Sequence, residues 1–479
     1  MWNFLKRLVI FVALAVVALL VFRTVDVLRG PPLELWHTYV PREPSIAEID
    51  QSDWAGYLAT EARLFADVKA NVTDKLPPQE RTPLNRYFSS SPIYPERFAQ
   101  DWNRSFEIAP EGLVRGAAVF LHGLTDSPYS LRHFAKLYAA KGFVSIGIRL
   151  PGHGLVPGAL TNITWPDWMA AVRLAVREAR RRAGPGAPIQ LVGYSNGAAL
   201  ALMYTLDALD DAKLERPERV VLVSPMVGIT PFARYAGLAA IPAMVPAFAQ
   251  AAWLGIMPEY NPFKYNSFPV NAARQSYLLT QVLQDNIARH AAVMDRMPPV
   301  LSFQSVVDET VSTEAIITHL HAQLSPGRSE LVLFDLNRNA ELASLVNTAS
   351  DTALERLLPA APRRFKTTVI TNRSASQAQV EARVTEAGQT EVTRQPLDLA
   401  YPRSVYSLSH VAMPFPLADG LYGLQPDPLD NFGINLGNIV MRGERDVLTV
   451  SLDVLMRMSS NPFLPYMMDR VSQGIPPAP

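Results

Sequence analysis

The sequence predicts an α/β fold with a mostly parallel central sheet flanked by helices. Two observations carry this prediction. Between residues 117 and 224, short apolar runs alternate with longer helical stretches, the pattern of a parallel sheet covered on both faces. Within that alternation, Ile189-Gln190-Leu191-Val192-Gly193-Tyr194 reads as a buried strand. It runs through Gly193-x-Ser195-x-Gly197 directly into an Ala/Leu-rich helix. A sharp strand-to-helix turn of this kind holds one serine proud of the sheet edge and needs glycines on either side, where side chains would collide with the adjoining elements.

The chain begins with Lys6 and Arg7, an unbroken apolar run from Leu8 to Phe22, and then Arg23. About fifteen residues is short for a span. Trp2 and Phe4 extend it, and the flanking cations snorkel outward. A cleaved secretory signal has the same shape. The residues after the run (Val21 to Asp26) offer no small-x-small site, so residues 1–30 read as an uncleaved anchor, with the basic end cytoplasmic and the body exported. A core helix is disfavoured because the run is apolar on every face.

Residues 31–110 form a mixed, proline-punctuated lead-in with helical spacing from Asp53 to Lys75 (Trp54, Leu58, Ala62, Phe65) and no evident chemistry. The first half of the core spans residues 111–225. Its strands are Ala117–Leu121, Phe143–Leu150, Ile189–Tyr194 and Arg219–Ser224. Its helices are Ser127–Lys141, Trp165–Ala183 and Asn196–Leu209, with Gly142 and Gly184-Pro185-Gly186 as stops. The Trp165–Ala183 helix carries Arg173, Arg177, Arg180, Arg181 and Arg182, a solvated face or a contact for anionic lipid headgroups. Residues 226–297, rich in Ala, Met, Pro and aromatics, read as a cap over the strand ends. Residues 298–479 restore the sheet at 298–306, followed by a helix (Thr313–Leu324) and a strand (Glu330–Leu336). Residues 337–399 fit no standard repeat of the unit and read as an insertion, and the end from Gly474 reads as frayed.

With 48% hydrophobic content over 479 residues, the chain can bury a large core. Lys+Arg and Asp+Glu both total 44, so charge gives no case for nucleic acid. The absence of cysteine excludes a thiol nucleophile, disulfides and lipid attachment through cysteine.

Ser195 is the candidate nucleophile. A serine hydroxyl needs a base within hydrogen-bond reach, itself oriented by an acid. Of eight histidines, four follow Ser195. His319 and His321 fall inside a helix and His290 in the closing helix of the cap, whereas His410 sits in a loop after a strand-like segment, which makes it the base. Asp308, two residues past a strand end, is the acid. Asp335, inside an apolar strand, is the runner-up, and Asp295 lies at the wrong end of the sheet. The amide of Asn196 at the helix start and that of Leu124, in Phe120-Leu121-His122-Gly123-Leu124-Thr125, are the candidate oxyanion donors. His122 precedes the serine and reads as a prop for its loop.

Together with Arg149-Leu150-Pro151-Gly152-His153-Gly154, these motifs resemble the α/β-hydrolase superfamily, and are most similar to its monoacylglycerol lipase and carboxylesterase branch, over roughly residues 113–324 plus the His410 loop. That resemblance implies a Ser195/Asp308/His410 triad, an oxyanion hole from Leu124 and Asn196, a helical cap, no metal or organic cofactor, and a structural role for the Gly-His-Gly loop. The expected activity is hydrolysis of acylglycerol-like or other lipophilic esters by a membrane-anchored serine hydrolase. Acyl transfer, peptide or amide hydrolysis, and a non-catalytic partner protein on the same fold are the alternatives.

Overall fold

A computed structural model describes residues 2–7, 10–11, 14, 18, 30–229, 243, 246–341, 348–439 and 451–476. The anchor expected over residues 1–30 lies mostly outside them. Among the described residues, no helix is long and apolar enough to cross a membrane.

In chain order the strands are β1 (Phe106–Ile108), β2 (Gly116–Leu121), β3 (Phe143–Ile148), β4 (Ile189–Tyr194), β5 (Arg219–Val223), β6 (Trp253–Gly255), β7 (Phe268–Pro269), β8 (Val300–Ser305), β9 (Ser329–Phe334), β10 (Lys366–Asn372), β11 (Gln379–Thr385) and β12 (Thr393–Ala400). All but β6 and β7 join one sheet in the order β1-β3-β2-β4-β5-β8-β9-β10-β11-β12. Neighbours from β3 through β10 run parallel, and β1, β11 and β12 pair antiparallel. Both faces are buried, and the strand period of two divides them. Val119, Leu191 and Leu222 pack with Trp168, Leu200 and Leu279 on one side. Phe120, Val192 and Val221 pack with Phe134, Tyr138 and Met467 on the other.

The helix Trp165–Ala183 has the bounds its signals predict. Thr164 and Asp167 form a capping box, and Gly184, at φ +84°, ends it by donating its amide to Arg180. Its arginines are satisfied within the molecule. Arg173 pairs with Asp50, Arg180 with Glu215, and Arg181 and Arg182 with Glu178, while Arg177 donates to the carbonyls of Ile49 and Ser52. This basic face holds residues 49–52 and 215.

Several elements depart from expectation. The helix expected at 127–141 opens as a 3-10 turn (Pro128–Leu131) before Arg132–Ala140, and that at 313–324 is one α-turn followed by a π-helix, Ile316–His321. The segment 337–399 is not a separate insertion in its second half. Lys366–Asn372 continues the parallel sheet as β10, and the polar Gln/Glu/Thr stretch supplies β11 and the edge strand β12. The edge strand gave little hydrophobic signal because it buries little: β12 is mostly exposed. Residues 342–347 lie outside the described set. The end read as frayed is tied down, with Gln190 donating to the Gly474 carbonyl (3.0 Å) and Arg115 to that of Pro476.

Of the segment expected as a cap, residues 230–242 and 244–245 lie outside the described residues. The remainder forms the β6–β7 ribbon and the helix Val270–Arg289, whose Leu279 and Leu283 are fully buried in the core. The lead-in is built into the body by a buried ionic cluster. Arg149, in the loop after β3, donates to both carboxylate oxygens of Glu43 (2.7 and 3.0 Å) and to Glu61 (3.2 Å). Tyr57 caps the Arg149 carbonyl at 2.6 Å.

Candidate active site

Parallel strands put their carboxyl ends on one edge, and the site forms there. Ser195 follows β4 in a backbone conformation rare for a side-chain-bearing residue, φ +54° and ψ −115°. Tight packing enforces it. A Cβ on Gly197 would stand 1.9 Å from the Leu121 carbonyl oxygen, and one on Gly193 2.5 Å from the Ala198 Cα. The Ser195 amide donates to Val223 on β5, and its carbonyl accepts from Ala198 and Ala199, fixing the turn at both ends.

Two loops meet at this serine. His410 Nε2 lies 2.9 Å from Ser195 Oγ, and its Nδ1 lies 2.9 Å from Asp308 Oδ2. Asp308 follows β8, and its other oxygen accepts from the amides of Thr310 (2.8 Å) and Val311 (3.0 Å). Burial would raise the Asp308 pKa, but the neighbouring His410 and these hydrogen bonds outweigh it and hold the carboxyl below its ordinary range. The runner-up acid, Asp335, is buried against Thr371 at 2.9 Å, on a different contact. His290 pairs with Asp210, and His321 contacts Ser302 in the core.

Although 102 residues separate His410 from Asp308, the histidine loop is firmly held. Tyr194, the residue before the serine, donates to the His410 carbonyl at 3.1 Å. Farther along the same loop, buried Asp419 accepts from Tyr129 (2.9 Å), Arg132 (2.6 Å) and His133 (2.9 Å). Burial would raise Asp419, yet the Arg132 charge and the His133 hydrogen bond hold it well below its ordinary range. No motif marks these partners, because Arg132 and Asp419 are separated by most of the chain.

Leu124 and Asn196 both border the site. As the first helical residue, Asn196 presents an amide with no acceptor within the helix. Gly123 packs so closely that a Cβ there would lie 3.3 Å from that of Ser195. His122 Nδ1 lies 2.9 Å from the Gly123 carbonyl, and its Nε2 accepts from the Leu150 amide at 3.1 Å. Burial pushes its pKa down to about 3, so it stays neutral and props the loop.

Sequence reasoning missed the 259–268 segment. Lys264 donates to the Leu124 carbonyl (3.3 Å) and Thr125 Oγ1 (2.9 Å), and the Tyr265 amide to the Thr125 carbonyl (2.7 Å). Tyr265 Oη donates to the Gly152 carbonyl at 3.1 Å and accepts from the Leu155 amide at 2.7 Å, joining the two loops. Its aromatic run was legible only as packing.

Asp126, beside the same loop, is buried and accepts from the Ser127 amide. Burial, partly offset by Lys264, raises its pKa from 3.8 to about 6. The folded chain therefore binds this proton more tightly than the unfolded chain. The resulting stability is complete below the unfolded value and is lost as pH rises through about 6. Asp126→Asn keeps an acceptor for Ser127 but does not ionise. It is expected to remove a fall of about 3 kcal/mol between pH 4 and 7, read as the difference in urea midpoint from wild type at each pH. Parallel pH profiles for the two proteins would refute it.

Above Ser195 lies a cavity of about 400 Å³, lined by Met226, Met257, Phe268, Val411 and Tyr422 among others. Its walls are mainly apolar, and among the described residues no Asp or Glu lines it.

A family model described as serine aminopeptidase, S33, matches residues 112–302. A thermostable monoacylglycerol lipase from Bacillus sp. (strain H-257) is 32% identical over 84 residues, 18% of this chain and 32% of that protein, so the chain spans about a third of that relative's length. A solved structure described among metagenome-derived lipolytic enzymes (LipS and LipT) is 21% identical with a TM-score of 0.40, covering 53% of this chain and 95% of that one. Monoacylglycerol lipase from Paleococcus ferrophilus is 16% identical with a TM-score of 0.36, covering 53% and 97%. The chain has the α/β-hydrolase fold with a mostly parallel central sheet, and it resembles the monoacylglycerol lipase-like branch of that superfamily.

Proposed function

We propose that this protein is a serine hydrolase that cleaves carboxylic esters of lipophilic acyl groups through an acyl-enzyme. The observation that carries the reading is the continuous hydrogen-bond chain from Ser195 Oγ through His410 to Asp308, opening into the apolar cavity. In this reading His410 takes the serine proton as Oγ attacks the ester carbonyl, then returns it to the departing alcohol. Asp308 keeps Nδ1 protonated and balances the imidazolium charge. The amides of Leu124 and Asn196 receive the developing oxyanion. Water then repeats the sequence to release the acid.

Ester cleavage is favoured over aminopeptidase activity by the lining of the cavity. A free peptide amino group calls for a carboxylate, and the described lining residues include two cations, Lys264 and Arg457, and no carboxylate. Labelling the full-length protein with a fluorophosphonate and mapping the adduct tests the nucleophile: modification at Ser195 is the expected outcome, and an unmodified Ser195 sinks the reading. With p-nitrophenyl esters from acetate upward, kcat/KM should rise about threefold to fourfold per methylene until the cavity is filled. A flat series would argue against an acyl pocket.

The apolar run at Leu8–Phe22 supports attachment to a membrane by a single span, with a cytoplasmic N-terminus and an exported catalytic domain. Alkaline carbonate extraction should leave the full-length protein with the membranes, and protease added outside the inner membrane should digest it. Release into the supernatant would defeat the anchor.

A further inference from the structure

Two cations line the cavity above Ser195, and neither has a carboxylate within ion-pair distance among the described residues. Lys264 and Arg457 flank the nucleophile from different sides. On the side of the oxyanion loop, the ammonium of Lys264 has two neutral acceptors, the Leu124 carbonyl and the Thr125 hydroxyl. On the histidine side, the guanidinium of Arg457 donates to the hydroxyl of Thr310, another neutral group. The Arg457 carbonyl accepts from Ser409, the residue before His410.

Among the described residues, exposed Asp453 lies one turn before Arg457 without reaching ion-pair distance, and the other nearby carboxylates are already engaged. Asp308 is committed to His410 and two backbone amides. Asp126 accepts from the Ser127 amide and is farther from Lys264 than an ion pair requires. Burial disfavours the protonated form of Lys264, the Asp126 charge partly offsets this, and the two cations are close enough that the Arg457 charge disfavours it further.

A desolvated cation such as Lys264 with only neutral contacts is costly, and an apolar cavity built only for a neutral acylglycerol has no use for two cations in its lining. An arriving anion would satisfy both. The His410 side, where Arg457 sits, is where the departing alcohol takes its proton.

We propose that Lys264 and Arg457 form an anion subsite within the catalytic cavity, and that the preferred ester carries a negative charge on its alcohol part. The acyl chain then occupies the Met226, Met257 and Phe268 walls, while the charged alcohol part lies between the two cations. This rests on the ester-hydrolase reading of the same cavity and narrows its substrate class.

The test compares kcat/KM of the full-length enzyme on three octanoyl esters, those of glycerol, glycerol phosphate and lactate. The first is neutral, and the other two present phosphate and carboxylate respectively. Wild type should prefer an anionic ester to the neutral one by about tenfold or more, as a charge-assisted contact implies. Whichever of the two is faster identifies the anion. Lys264→Met and Arg457→Met should each reduce the anionic-to-neutral ratio about tenfold, and Lys264→Arg should retain most of it. The ratio is the readout because a general effect on folding or on the oxyanion loop cancels from it. Equal rates on all three esters in wild type, or a ratio unchanged in both methionine variants, would overturn the subsite.

Calorimetric binding of the same esters to Ser195→Ala separates this proposal from the one beneath it. Tighter binding of an anionic ester, with no turnover of any ester by wild type, would leave the anion subsite standing and remove ester hydrolysis. Turnover without preference would do the reverse.

Discussion

Ser195→Ala is expected to lower ester turnover about a million-fold, and His410→Ala by a similar factor. In the structure these side chains are within hydrogen-bond distance, Ser195 Oγ to His410 Nε2 at 2.9 Å, the contact through which the proposed mechanism moves the proton. Removing either end leaves an unactivated nucleophile or none. Combining the two changes should therefore cost little more than one alone. Asp308→Asn should lose about ten-thousand-fold, because an amide can present its NH2 to Nδ1 and favour the wrong imidazole tautomer. Substrate binding should survive all three, since the apolar walls at Met226, Met257 and Phe268 are untouched. Single-turnover kinetics on purified variants reads these losses directly, and a Ser195→Ala protein within about tenfold of wild type would exclude the acyl-enzyme.

Arg149→Ala is expected to destabilise the protein by about 3–5 kcal/mol, the cost of stripping one partner from a buried ion pair. Arg149 is fully buried, and its guanidinium is shared between Glu43 and Glu61. Burial raises the pKa of Glu61, while Arg149 and the Ser105 hydrogen bonds act to lower it. Without the arginine, both carboxylates remain buried with no counter-charge in contact, holding only the hydrogen bonds from Ser105 and Gly152. Glu61, which burial already holds above the ordinary 4.5, then rises further. The penalty is therefore largest at neutral pH, shrinks as pH falls through the raised folded value, and levels off below the ordinary 4.5, where folded and unfolded chains both hold the proton. Arg149→Lys should recover only part of the loss, because an ammonium does not reproduce the paired contacts to Glu43. Urea unfolding at pH 7 and pH 4 measures both effects. A loss below about 1 kcal/mol at pH 7 would show that the cluster merely breaks even.

The two networks differ in how they could be read. Ser195 was visible because the elbow is local: Gly193, Gly197 and the flanking strand and helix lie within a few residues. His410 and Asp308 were reached by chain order and by position after a strand, which the sheet topology then turned into contact. The Arg149 cluster had no such signature. Glu43, Glu61 and Arg149 belong to three separate segments, and the lead-in contributing two of them looked devoid of chemistry. Lys264 was hidden for the same reason, being one lysine in an aromatic-rich stretch that acquires its role only by folding onto the Leu124 loop.

The sequence by itself determined the parallel sheet, the serine turn and the identity of the three residues that meet there. Hydrophobic period, glycine punctuation and strand-end position are short-range constraints that survive without coordinates. Only the tertiary structure decided that residues 366–400 extend the sheet, that the basic helix is paired internally, and that Lys264 and Arg457 face one cavity. Those outcomes depend on which distant segments share a buried volume. In a buried volume a charge must find a partner or wait for one, and spacing along the chain does not specify that partner.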